Sequence, residues 1–132
     1  MAVKKGSETR VFYTWMENGI CFTEVKQDGI IELPDAEENT IVVKKLTNNS
    51  ACPILVDLRK IRSISKEARD HFSMRNRVPG VNAIAMLIKS PVSRIIGNFF
   101  LGLNKPVVET QLFTSKQKAL GWVEKFADGR KK

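Results

Sequence analysis

Apolar positions along the chain fall into runs whose spacing changes from strand-like to helix-like and back. Val11-Phe12-Tyr13-Thr14-Trp15-Met16 and Ile20-Cys21-Phe22-Thr23-Glu24-Val25 are aromatic and β-branched runs flanking Glu17-Asn18-Gly19. Asn-Gly accepts the positive φ angles of a tight turn, so the two runs are predicted to pair as an antiparallel hairpin. Gln27-Asp28-Gly29 reads as a second turn, and Ile30-Ile31 leads into a helix opened by Leu33-Pro34-Asp35-Ala36-Glu37-Glu38. Proline suits a first helical turn, carboxylates there favour the helix dipole, and Lys44-Lys45 carry the matching sign near the other end. Thr47-Asn48-Asn49-Ser50 closes this helix as a loop.

Pro53-Ile54-Leu55-Val56-Asp57-Leu58 is apolar almost throughout and reads as a central strand buried on both faces. Ser63 or Ser65 can cap the helix that follows, which carries Ile64, Ala68 and Phe72 at four-residue intervals and runs to about Arg77 before Val78-Pro79-Gly80. Asn82 to Ile88 predicts a second buried strand, parallel to the first. Ser90 caps a third helix with Pro91 in its first turn, and Val92, Ile95, Ile96, Phe99, Phe100 and Leu103 form its apolar face. Val107 to Phe113 reads as an edge strand. Thr114 with Gln117 matches a capping box for a final helix, whose buried stripe is Ala119, Trp122, Val123 and Phe126. The order predicts an α/β fold: a mixed β-sheet with an N-terminal antiparallel hairpin, layered with alternating helices.

Length and charge set limits on this picture. The 132 residues suit one domain, placed at 10–127 between a flexible N-terminal tail, 1–9, and a basic C-terminal tail, 128–132. The net charge is +8, but it falls to +3 without Lys4, Lys5, Arg130, Lys131 and Lys132. Most of the basicity is therefore terminal, and nucleic-acid binding is not expected. Cys21 and Cys52 form no CxxC pair, and the N-terminus lacks the apolar stretch of a signal peptide. No apolar run approaches the roughly 20 residues that span a bilayer. A cytoplasmic protein with reduced thiols is the expectation.

Catalytic chemistry has few candidates. His71 stands beside Asp70 within a helix, where neighbours point about 100° apart and cannot easily form a dyad. One histidine and two distant cysteines are too few for a metal site. Neither a phosphate-binding glycine pattern nor a nucleophile elbow occurs. No enzymatic activity, metal or cofactor is expected.

Contact surfaces are better supported, in two regions. At the end of the central strand, Asp57, Arg59, Arg62, Ser63, Ser65, Lys66, Glu67 and Arg69 surround a helix start and suit contact with an anion or a partner. On the third helix, Leu101 lies off the apolar face, so Arg94, Ile95, Asn98, Phe99, Leu101 and Lys105 suit docking on a protein, a second copy in a homodimer, a membrane surface or an apolar ligand.

Three stretches carry a family resemblance: Ile54-Leu55-Val56-Asp57-Leu58 with Ser65-Lys66-Glu67-Ala68-Arg69; Ser90 to Phe100 with Asn104-Lys105-Pro106; and Leu112-Phe113-Thr114-Ser115 with Ala119-Leu120-Gly121-Trp122-Val123. In these the chain resembles an uncharacterised bacterial branch of the STAS-like family, which has the fold of the anti-sigma-factor antagonists. The resemblance implies a phosphorylatable interaction module, since antagonist members carry an Asp-Ser-Ser-Gly-type loop. Aligned from Asp57-Leu58, the motif's aspartate falls on Ser65, its acceptor serine on Glu67 and its glycine on Ala68. Glu67 would hold a permanent negative charge where the family's switch adds one. The expected function is a non-catalytic regulatory module binding a protein partner or itself. The alternative is a carrier of a lipid or other apolar ligand, or attachment to a membrane surface through the helix from Pro91 to Leu103.

Overall fold

Side-chain alternation in the strands decides the layering. The computed structural model describes residues 5–48, 50–73, 81–101 and 109–130. In chain order the first elements are β1 (Lys5–Glu8), β2 (Phe12–Glu17), β3 (Ile20–Val25), β4 (Gly29–Ile31) and α1 (Leu33–Thr47). Then come β5 (Cys52–Asp57), β6 (Ile61–Ile64), α2 (Lys66–Ser73), β7 (Val81–Leu87), α3 (Pro91–Leu101), β8 (Glu109–Phe113) and α4 (Lys116–Arg130). Six strands form one sheet in the order β1-β2-β3-β5-β7-β8, and β4 pairs with β6 in a separate two-stranded ladder. The expected mixed sheet with an antiparallel hairpin and alternating helices is the observed architecture. β5 lies inside the sheet, parallel to both β3 and β7.

Ile54 and Val56 of β5 point to the face covered by α1, α2 and α3, where Ile54 clusters with Val43 of α1 and Val56 also packs against the cluster of Ala36, Ala68 and Ile96. Leu55 points to the opposite face, where Ala85 and Leu87 of β7 meet Ala119 and Val123 of α4. Alanines at 85 and 119, both fully buried, allow helix and sheet to approach closely.

The hairpin forms as expected: Asn18 and Gly19 adopt φ of 53° and 80° between β2 and β3. Four expectations change. Lys5–Glu8, read as part of a tail, pairs antiparallel with β2, because a four-residue edge strand is too short to carry an alternation signal. Gly29–Ile31 and Ile61–Ile64, read as a turn and a helix start, form the β4–β6 ladder through contacts distant in sequence. Ser63 consequently lies exposed in β6 rather than capping a helix. The capping box of α4 is replaced by Ser115, whose Oγ accepts from the Lys118 N–H at 3.2 Å. The expected end of the second helix near Arg77 and the Val78-Pro79-Gly80 stop lie outside the described residues.

At the start of α1, Asp35 is buried and accepts from the Glu32 N–H at 2.9 Å and from Arg10 Nε at 3.1 Å. Burial raises its carboxyl pKa, but the Arg10 and Glu32 hydrogen bonds together overcome that and hold it below the usual carboxylate range. Asp35→Ala is expected to lower stability by about 2 kcal/mol, combining a lost cap with an ion pair whose arginine is largely solvated. The depressed value makes this contribution present above about pH 4 and lost as pH falls through it. Urea denaturation of both proteins should show a gap at neutral pH that narrows in acid.

Candidate functional site

Strand alternation divides the strand-end set between the two sides of the sheet. Asp57 follows Leu55 toward the α4 face, where it lines a shallow depression with Trp15, Phe22, Thr23, Glu24 and Lys116. Its carboxylate binds Arg59 in a fork, Nε to Oδ1 at 3.0 Å and a terminal nitrogen to Oδ2 at 2.8 Å, and also accepts the Arg59 N–H. The side-chain hydrogen bond from the guanidinium to Asp57 raises the Arg59 pKa, against a smaller opposing influence of burial. Arg59 is thereby neutralised by its own strand end and is a poor centre for an external anion.

The rest of the set lies around α2. Ser65 is the N-cap: its Oγ accepts from the Ala68 N–H at 3.1 Å, its carbonyl from Arg69, and its own N–H donates to Ile31 of β4. Lys66 pairs with Asp70 one turn on, at 2.9 Å. Glu67 is exposed in the first turn, and Arg62 and Ser63 are exposed on β6. Arg69 is half-buried, and its guanidinium carbon lies 4.8 Å from the centre of the Phe99 ring. A stacked arginine of this kind is a cation–π contact, and it joins α2 to α3.

Helix α3 starts with a serine pair. Ser90 Oγ accepts the Ser93 N–H at 3.0 Å, while fully buried Ser93 accepts the Lys89 N–H at 2.8 Å. The helix then rests on the sheet through Ser93, Ile96, Gly97 and half-buried Phe100. A Cβ at Gly97 would stand 3.1 Å from both Ile88 Cγ2 and Leu112 Cδ2, so glycine permits this close approach. The predicted apolar face is accordingly split. Ile96 and Phe100 pack inward, Phe99 is half-buried, and Val92 and Ile95 are 41% and 69% exposed. Residues 92, 95 and 99 follow one helical stripe away from the sheet. Arg94 and Asn98 are exposed beside it, as is Leu101; Leu103 and Lys105 lie outside the described residues.

The structure thus brings Arg69 and Phe99 together and sets Arg62, Ser65, Lys66 and Glu67 on the same side of the sheet. It separates Asp57 and Arg59 from them. Val92 was missed as a surface residue because its spacing matches a core face equally well. The small residues at 93 and 97 were the available signal for which side touches the sheet.

Comparison with known proteins follows this geometry. Residues 14–127 match the family described as Domain of unknown function (DUF7793). The chain belongs to this family. Two solved structures share its fold. One is an uncharacterized protein from the DUF3478 family with a SpoIIAA-like fold from Shewanella loihica PV-4, at 14% identity and TM-score 0.57 over 92% of each chain. The other is an anti-sigma factor antagonist from Mycobacterium paratuberculosis, at 14% identity and TM-score 0.58, covering 86% of this chain and 92% of that one. The fold of this member of the DUF7793 family is therefore SpoIIAA-like, as the resemblance implied. Curated proteins give no match.

Proposed function

We propose that this protein is a non-catalytic regulatory module that binds a protein partner through one surface built by α2 and α3. The observation carrying this reading is the Arg69–Phe99 stack, which merges the helix start at Ser65 with the exposed stripe of α3. Apolar and arginine side chains without Lys, Asp or Glu, as along Pro91–Leu101, are the composition of protein interface cores. The likeness in fold to an anti-sigma factor antagonist supports a regulatory role. In this reading Glu67 supplies a constant negative charge at the start of α2, and the module acts in the cytoplasm without a phosphorylation switch at that position.

Phe99→Asp and Arg69→Glu test the surface from its two sides. Each is expected to reduce capture of the partner identified with the wild-type protein at least tenfold, about 1.4 kcal/mol, in pull-down and then in titration with that purified partner. Circular dichroism should show the fold retained. Unchanged capture by both variants would remove the surface from consideration. The ligand-carrier alternative requires space beneath α3, and the close packing at Gly97 against Ile88 and Leu112 speaks against it at that crossing.

A further inference from the structure

Helix α3 concentrates the apolar surface that this fold leaves in water. Val92, Ile95 and Leu101 are three of the six large hydrophobic residues exposed among those described. Val92, Ile95 and half-buried Phe99 are spaced by three and four residues, so they form one stripe along about two turns. Ser93, Ile96, Gly97 and Phe100 hold the opposite side of the helix against the sheet. The stripe borders α2, because Arg69 lies over the Phe99 ring.

Cations stand on both borders of this stripe. On the α2 side is Arg69, with exposed Lys66 one turn before it. On the other side exposed Arg94 projects about 100° from Ile95, and exposed Lys89 precedes the helix. Helix α3 also packs against β6, whose Arg62 is exposed. Taken together, β6, α2, α3 and Lys89 carry five lysines and arginines and two carboxylates. Lys66 and Asp70 neutralise each other at 2.9 Å, which leaves Arg62, Arg69, Lys89 and Arg94 against Glu67. Among the described residues no ion pair engages Arg62, Lys89 or Arg94.

An apolar stripe with cationic borders is complementary to an amphipathic helix whose own borders are acidic. A helix about 10 Å across can lie along such a stripe and reach Phe99. A flat lipid surface meets protruding Ile95 first and is held off the half-buried ring. Helix α3 also lacks the Lys and Trp that anchor helices at a lipid interface.

We propose that the α2–α3 surface receives an acidic amphipathic helix of the partner. Its aliphatic residues cover Val92, Ile95 and Phe99, and its carboxylates meet Arg69 on one border and Arg94 and Lys89 on the other. Arg69 can serve both neighbours, since a guanidinium stacked on a ring keeps its N–H donors in the ring plane free for a carboxylate. The proposal rests on the protein-binding reading above and adds the chemistry of the bound segment.

A displayed library of helices about three turns long, with Leu fixed along one stripe and Glu or Lys allowed at each border position, tests it against the full chain. Selection is expected to enrich Glu at both borders. In fluorescence anisotropy an enriched peptide should bind roughly tenfold tighter than its Lys-bordered counterpart at low salt, with the gap narrowing as salt rises. The partner captured by the wild-type chain should displace it. Arg94→Glu and Ile95→Asp, both at exposed positions, should keep the wild-type circular dichroism. The first should shift the enriched residue on one border to Lys, and the second should abolish selection. Enrichment of Lys, of neither charge or of no peptide would overturn the proposal. So would Ile95-dependent binding to phosphatidylcholine vesicles containing phosphatidylserine in place of peptide binding, which would assign the stripe to a membrane. Self-association in sedimentation that Ile95→Asp dissolves, again without peptide binding, would overturn it in favour of a second copy. Capture of the natural partner by Phe99→Asp and Arg69→Glu is scored separately. If that capture is lost while the enriched borders are not acidic, this proposal fails and the functional reading stands.

Discussion

Leu55→Ala is expected to lower stability by about 2–5 kcal/mol, the range for truncating a buried leucine to alanine. Leu55 is 2% exposed in β5, between β3 and β7, and packs in the cluster that includes Ala85, Ala119 and Val123. Two of those neighbours are alanines already. They have no side-chain length with which to refill the space, so a cavity should persist. Urea denaturation should show a lower midpoint with little change in slope, and the thermal midpoint should fall by about 10 °C. A loss below about 1 kcal/mol would mean that α4 can settle onto the sheet, contrary to the close packing described.

A second large effect is expected in alkali. Cys21 is fully buried against the α1 face, and its thiol pKa is pushed from 9.0 up to about 12, chiefly by burial and to a lesser extent by the nearby Cys52. The folded state thus keeps a proton that the unfolded state releases. Its contribution is fully present below about pH 9 and is lost as pH rises through the folded value. At about 1.4 kcal/mol per unit, the whole span approaches about 4 kcal/mol. Denaturation midpoints of wild type and Cys21→Ala, compared from neutral pH into alkali, should converge as the wild type loses this advantage. Parallel curves would show that the thiol ionises with the same pKa in the folded and unfolded states. Because the thiolate is the reactive form, labelling of native Cys21 near neutral pH should be slow.

The two sides of the molecule differ in how readable they were. β5, β7 and α4 stand out because their apolar runs and stripes are long, and each matches one period. β1, β4 and β6 have four residues or fewer, and only their partners define them. Helix α3 is the instructive case. Its apolar positions wrap too far around the axis for spacing to say which residues face the sheet. The answer came from Ser93 and Gly97, whose small size lets the backbone approach Ile88 and Leu112.

The candidate surface divides along the same line. Residue types at the strand end and on α3 marked both as contact regions, but pairing is a property of distance. Asp57 and Arg59 satisfied each other on the α4 side, and Arg69 found Phe99 on the other.

By itself, then, the amino-acid sequence determined the fold class, the central strand and the residue types available for contact. Periodicity, turn chemistry and composition are local and survive without coordinates. The tertiary structure decided which apolar residues remained in water, which charges were already paired and which helices shared a surface. Those depend on sheet register and on contacts between residues far apart in the chain, which no local pattern encodes.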